Sequence, residues 1–248
     1  MKHVIPVVLA LLAFSGFAAD DEWVAAMKEV HAKKKGTKGS VSQIGDSITY
    51  TKAFLSGVGW ALKTPEWKTL TDRVDANALN NRKGPEHNNY SGWTAGDGLS
   101  KIKNTLANEK PEIAVIMYGT NDVTKGVAAA EYEKNMTAIV DACIEAGCVP
   151  IVSTIPPYVN KEQQAVALND VVKKIAKAKK IPLVDFHAAV LEKQPGQAWD
   201  GTLLGKGDVH PTGGDNFNFA EDNLKKCGYA LRNYVTLKVM QQVIEKCF

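Results

Sequence analysis

The sequence predicts an α/β protein, a three-layer α/β/α sandwich built around a mainly parallel central sheet. Two observations carry that prediction. Four short apolar runs, at residues 41–44, 113–117, 149–154 and 182–186, have the length of strands, and the unbroken apolar character of 113–117 suits a strand covered on both faces. Stretches with helical spacing separate them. Strand alternating with helix calls for βαβ units, parallel strands and helices on both faces of the sheet.

The elements follow in order along the chain. Met1-Lys2-His3 is a short basic start, residues 4–14 are apolar, and Ser15-Gly16-Phe17-Ala18 offers small residues for cleavage after Ala18. That is the layout of a secretory signal peptide, too short to span a bilayer comfortably. We therefore expect a leader at 1–18 and a secreted or periplasmic mature chain with no integral membrane segment. Residues 20–35 read as an amphipathic helix carrying Trp23, Met27 and Val30 on one face and ended by Gly36. The basic run Lys33-Lys34-Lys35 with Lys38 suits a solvated helix end. Residues 41–44 then run as a strand into Gly45-Asp46-Ser47. Tyr132, Met136, Ile139 and Cys143 mark one buried helix face, and Ala165, Leu168, Val172 and Ile175 another. A last helix over 229–246 should turn Tyr234, Leu237 and Ile244 inward. With no internal repeat, low-complexity tract or long linker, residues 19–248 form a single domain.

Composition narrows the function. At 45% hydrophobic and 23% charged, with 20 Gly and 10 Pro, the chain is neither disordered nor collagen-like nor a coiled coil. A net charge of +3 is far from a nucleic-acid binder's basic footprint. Four cysteines allow three pairings. A continuous helix over 229–246 would hold Cys227 and Cys247 roughly 27 Å apart, too far for a bond. Cys143 and Cys148 are either bridged or two free thiols. CxxC, His/Cys cluster and HExxH frames are absent from the sequence, so neither a metal nor another cofactor is expected.

Ligand sites in such a sheet gather at the carboxyl ends of the strands, and two polar blocks lie there. Gly45-Asp46-Ser47-Ile48 can present a serine at the start of a helix, near free backbone N–H groups; Asp and Ser at a strand exit are also common helix caps. Gly119-Thr120-Asn121-Asp122 places an amide that can donate to a developing oxyanion, or else an Asx turn with Asp122 as a cap. Between them, Ser91-Gly92-Trp93-Thr94 offers a glycine N–H that can approach a carbonyl oxygen closely. Late in the chain, His210 in Asp208-Val209-His210-Pro211 stands beside a carboxylate, as a general base requires. His87 and His187 have no comparable setting and read as structural. No serine has the Gly-x-Ser-x-Gly frame of an α/β-hydrolase elbow.

Ser47, Gly92, Asn121 and His210, in that order, resemble the four blocks of the SGNH hydrolase superfamily, the GDSL esterases and lipases, and more particularly its secreted bacterial carbohydrate esterases. The resemblance runs from about Val41 to Pro211, and Gly228-Tyr229-Ala230-Leu231-Arg232 is similar to the closing helix of bacterial members. It implies the family's flavodoxin-like fold, Ser47 as nucleophile, His210 as general base, and an oxyanion hole from Ser47, Gly92 and Asn121. Two departures stand out. The second block lacks its usual preceding Gly, and the family's Asp three residues before the His is Gly207 here. Asp208, two before, reaches His210 if the segment is locally extended; otherwise Asp200 or a backbone carbonyl orients the ring. Trp93 and Trp199 suggest a sugar platform, and Trp93 and Asp46 are the expected substrate contacts. The expected protein is an esterase that removes small acyl groups, acetyl above all, from oligo- or polysaccharides. A lysophospholipase, short-chain lipase or thioesterase of the same family, and a non-catalytic glycan-binding protein, are the alternatives.

Overall fold

The computed structural model describes residues 22–33 and 36–248; the expected leader and Lys34-Lys35 lie outside them. Helix α1 (Glu22–Ala32) buries Met27 and Val30, as the spacing predicts. Strand β1 (Val41–Gly45) leads directly into α2 (Ser47–Tyr50), and α3 (Lys68–Arg73) lies in the irregular stretch that follows. Then come α4 (Ala95–Glu109), β2 (Ile113–Met117), α5 (Thr120–Lys125), α6 (Ala129–Glu145) and β3 (Val149–Ser153). The chain continues through α7 (Glu162–Lys179), β4 (Leu183–Val184), α8 (Phe186–Lys193) and α9 (Gly228–Cys247).

The four strands pair in parallel in the order β1-β2-β3-β4. Neighbouring parallel strands joined by right-handed crossovers place every crossover helix on one face. That is where α4, α6 and α7 pack on one another. The opposite face must be covered by what remains, and α1, α3 and α8 gather there around α9. Every residue of β1, β2 and β3 is buried, as a sheet with two covered faces requires. Among the described residues, no helix is long and apolar enough to cross a membrane.

Two elements differ from expectation, and one open alternative is settled. The fourth strand is cut to two residues because the Asp185 carboxylate accepts from the Ala188 N–H and starts α8. Helix α9 is buried almost all round rather than along one stripe. Leu237 and Ile244 face inward as expected, but Tyr234 is only partly buried, packed on Trp67 and Phe219. All four cysteines are free thiols and all are buried, so the bridge open to Cys143 and Cys148 is not made. Cys227 and Cys247 stand at opposite ends of α9, as the helix length dictates.

Register positions the site. Gly45 pairs with Met117 and Ile44 with Ile116, so β1 and β2 end level and their exits emerge side by side. On β1's free edge, residues 88–90 add a short extra rung: the Gly45 N–H donates to the Asn88 carbonyl and the Tyr90 N–H to the Gly45 carbonyl, both at 3.1 Å. The Asn89 amide pins this rung, donating to the Gln43 carbonyl at 2.7 Å while accepting from the Gly84 N–H. Just beyond β2, Tyr118 is wholly buried and reaches the Asn88 carbonyl with its hydroxyl. Its ring lies against Gly98 of α4, where a Cβ would strike the ring atoms next to the hydroxyl. Gly98→Ala should therefore cost about 1–3 kcal/mol by overpacking, read as a lower urea midpoint at unchanged slope; an unmoved midpoint would mean that Tyr118 yields freely.

Candidate active site

The turn that carries Ser47 is built from three features. Gly45 leaves no room for a side chain, since a Cβ there would strike the Thr49 side chain and the Met117 carbonyl. Asp46 then caps the single turn of α2: its carboxylate accepts from the Ile48 N–H at 3.1 Å, and its carbonyl from the Thr49 and Tyr50 N–H groups. Four residues are too few to hold a helix unaided. The remaining support comes from α9 and from Lys83. Arg232, 1% exposed, donates to the Ile48 carbonyl at 2.6 Å and to the Thr49 hydroxyl at 2.9 Å, with its guanidinium 3.7 Å from the centre of the Phe54 ring. The Lys83 ammonium donates to the Gln43 side chain and to the Thr49 and Phe54 carbonyls. Burial pushes the Arg232 guanidinium down to about 10, against the pull of Tyr229 and Asp46. Burial, and then the Arg232 charge, lower Lys83 well below its usual range; even so, three acceptors match the three donors of an ammonium.

Ser47 Oγ lies 2.8 Å from His210 Nε2, and His210 Nδ1 lies 2.8 Å from the Asp208 carboxylate. A carboxylate at Nδ1 selects the tautomer with its proton there, leaving the Nε2 lone pair to accept from the serine hydroxyl. Asp208 gets there by a turn and not by an extended segment. The Gly205 N–H closes the loop on the His210 carbonyl at 2.9 Å, Gly207 has φ +69°, and Asp208 Oδ1 also accepts the Val209 and His210 N–H groups. Burial pushes this carboxyl up, and the His210 ring and the two amides outweigh it, leaving it below its ordinary value. Asp200 holds the same loop from the other side, accepting the Gly207 N–H at 2.6 Å. It supports the turn and does not touch the imidazole.

Asn121 joins the second and third blocks. Its amide donates to the Trp93 carbonyl at 3.0 Å and approaches Asp46 at a longer 3.4 Å. Gly119, at φ +135°, makes the bend that lets α5 begin there. Gly92, at φ +80°, is exposed, and the Lys125 ammonium holds its carbonyl at 2.8 Å. Asp122 caps α4 and not the helix that follows it, accepting the Ala95 N–H at 3.1 Å, while Thr94 and Asp97 form a reciprocal capping box at the same end. Two bonds from residues 121 and 122 thus fix where Gly92 sits.

Two expected roles change. Asp46 has no exposed surface, and its carboxylate is occupied by Ile48, Thr120 and Asn121; it cannot contact a substrate and instead braces the serine turn. Burial pushes that carboxyl up, against the Thr120 hydroxyl, the Ile48 amide and the charges of Arg232 and His210. Trp199 is 4% exposed, with its indole N–H on the Gly196 carbonyl, and offers no platform. Trp93 is partly buried at the edge of the site. His87 and His187 pair with Glu109 and Glu162 away from Ser47. Sequence reasoning missed Lys83, Asn89, Thr120 and Arg232. Asn89, two residues before Ser91, marked only a missing glycine, and nothing in the local pattern of 228–232 separates a buried cation from a solvated one. Among the described residues, no cluster of three His, Cys, Asp or Glu could hold a metal.

A parallel sheet thus carries a serine, an imidazole and a carboxylate in line at its carboxyl edge, the arrangement that serine hydrolases use. The profile of the GDSL-like lipase/acylhydrolase family matches residues 44–213, and the chain belongs to this family. Esterase TesA of Pseudomonas aeruginosa is 31% identical over 97 residues, covering 39% of this chain and 44% of TesA. An uncharacterized lipoprotein of Bacillus subtilis, YqeF, is 25% identical over 151 residues, covering 49% of this chain and 62% of YqeF. The chain thus spans about half the length of the curated relatives it matches. A carbohydrate esterase family 3 protein from Talaromyces cellulolyticus shares the fold at 21% identity and a TM-score of 0.56, over 83% of this chain and 97% of that one.

Asp122 gives a pH signature. Burial pushes its carboxyl up to about 6, against the Ala95 amide and with the charges of Asp46 and Asp97 adding to the rise. A carboxyl raised in the fold contributes most when protonated, below its unfolded value near 4, and that contribution is lost as pH climbs through 6. Asp122→Asn keeps an acceptor for the Ala95 N–H but cannot ionise. Between pH 4 and pH 7 the Tm of this variant should therefore rise relative to wild type, by the equivalent of about 1–3 kcal/mol. A constant difference across that range would show that Asp122 does not titrate there.

Proposed function

We propose that the protein is an exported serine esterase that removes acetyl and other small acyl groups from carbohydrate. The observation that carries the mechanism is the line from Ser47 Oγ through His210 to Asp208, with 2.8 Å at each step. A glycan-binding module has no need of such a line. His210 Nε2 takes the Ser47 proton as Oγ attacks the ester carbonyl, and Asp208 stabilises the imidazolium. The tetrahedral oxyanion is received by the N–H groups of Ser47 and Gly92 and by the Asn121 amide. The first two donate to no other group among the described residues; the third has its long contact to Asp46 to give up. The imidazolium then protonates the leaving alcohol, leaving an acyl-enzyme. In the second half His210 draws a proton from water as it attacks the acyl carbon, and the imidazolium returns that proton to Ser47 Oγ as the acid leaves.

The small-acyl and carbohydrate parts rest on two further observations. A carbohydrate esterase shares the fold, and the site edge carries Trp93. Export is supported by the signal-peptide layout of residues 1–18 and by a relative named as a lipoprotein.

Hydrolysis of p-nitrophenyl esters from acetate to palmitate tests the reading. Wild type should prefer acetate, Ser47→Ala should fall to background, and Asn121→Ala should lose about 10²–10³ in kcat. Near-normal kcat in Asn121→Ala would remove that residue from the oxyanion hole. A preference for palmitate would turn the case toward a lipase or lysophospholipase.

A further inference from the structure

Among the described residues, four large hydrophobic side chains are well exposed, Tyr50, Trp60, Tyr90 and Val166. Two of them touch each other beside the serine. The Tyr50 and Tyr90 rings lie 5.4 Å apart, and Tyr90 packs edge-on against Trp93 at 5.9 Å. All three are tied to the site by backbone. Tyr50 closes the single turn that Ser47 opens. The Tyr90 N–H donates to the Gly45 carbonyl, two residues before Ser47, and the Trp93 carbonyl holds the Asn121 amide. The three rings therefore form a continuous row along one rim of the site, anchored to the nucleophile turn, to β1 and to the oxyanion loop in turn.

Exposing this much aromatic surface is unfavourable unless something covers it. Successive planes are inclined by 59° and 61°, so the row is stepped, without the flat enclosed trough that an alkyl chain needs. Tyr50 is 38% exposed and Tyr90 40%, and neither hydroxyl bonds to a protein group among the described residues. Rings with an apolar face and a free polar edge suit partners that are likewise two-sided. Pyranose rings fit that description, with C–H faces and hydroxyl rims. Two-torsion aromatic side chains already held by their neighbours also lose little freedom on binding.

We infer that Tyr50, Tyr90 and Trp93 form a glycan platform that receives the sugar of the ester, the alcohol side of the scissile bond, and so selects oligosaccharide over small alcohol esters. This rests on Ser47 being the nucleophile of an esterase. The acyl group then lies on the far side of Ser47 from the row, and the platform acts on the recognition of the leaving alcohol.

Two measurements separate the platform from the esterase reading. Calorimetric titration of Ser47→Ala, which cannot turn over, with acetylated xylo-oligosaccharides and acetylated oligogalacturonides should show binding to one of them. Adding Tyr50→Ala or Tyr90→Ala should weaken it about tenfold each, and Tyr90→Phe, which keeps the ring, should recover most of that loss. With Ser47 intact, the same alanine variants should lose about tenfold more kcat/KM on the acetylated oligosaccharide than on p-nitrophenyl acetate, chiefly through KM. Equal losses on the two substrates would make the tyrosines structural and overturn the proposal. So would a failure of both sugars to bind, although p-nitrophenyl acetate hydrolysis lost in Ser47→Ala would then leave the esterase standing. Tyrosine-dependent preference for p-nitrophenyl palmitate would overturn it in favour of an acyl-chain surface. Sugar binding without any ester hydrolysis would sink the esterase reading instead.

Discussion

The bonds of one buried carboxylate hold the site together. Asp46 sits where β1 ends and accepts from the first turn of α2 on one side and from Thr120 and Asn121, beyond β2, on the other. The level register of the two strands brings these groups within reach, and the carboxylate then fixes how the two exits face each other. Ser47 and Asn121 are its immediate dependants. Through Asn121 and Asp122, the Gly92 loop is placed at second hand, so the exits of β1 and β2 are referred to one residue that no solvent touches.

That arrangement carries an electrostatic debt. Arg232 and Lys83 lie beneath the same turn, and both are driven toward neutrality by burial. Their value is as caps: Lys83 supplies the Thr49 carbonyl, while the Ile48 and Phe54 carbonyls would keep only 3.4 Å contacts from the Tyr229 and Ser56 hydroxyls without these cations. Asp46 is a countercharge to Arg232, after Tyr229, and Arg232 in turn lowers the cost of burying that carboxylate. Removing any one of the three would leave a buried charge or buried carbonyls uncompensated, which is the expensive way to break such a cluster.

Much of this was legible in the chain. The apolar runs placed the strands, helical spacing gave the inward faces of α6 and α7, and the order of Ser47, Gly92, Asn121 and His210 marked residues that the fold links at one end of the sheet. What stayed hidden depends on contacts distant in sequence. A pattern of five residues shows that Asp46 could cap a turn, but not that β2's exit would close over it. Nor does local sequence distinguish Arg232, sealed inside α9, from the lysines that remain in water. Asp208 raised a subtler difficulty: spacing offered an extended segment, whereas the chain uses a glycine-rich turn, closed by Asp200, to bring carboxylate and ring together. The fourth strand was overestimated because its fourth residue, Asp185, serves the next helix better than the sheet.

The distances along the chain have a kinetic meaning. Ser47 meets His210 across 163 residues, and its turn is held by Arg232 across 184. Contacts of such long range are the slowest to form, because the entropy of closing the loop is lost before any bond rewards it. The contact between Ser47 and His210 is therefore assembled near the end of folding. A nascent or half-folded chain carries Ser47 as an isolated hydroxyl, and the line from Ser47 through His210 to Asp208 exists only when the molecule has closed on itself.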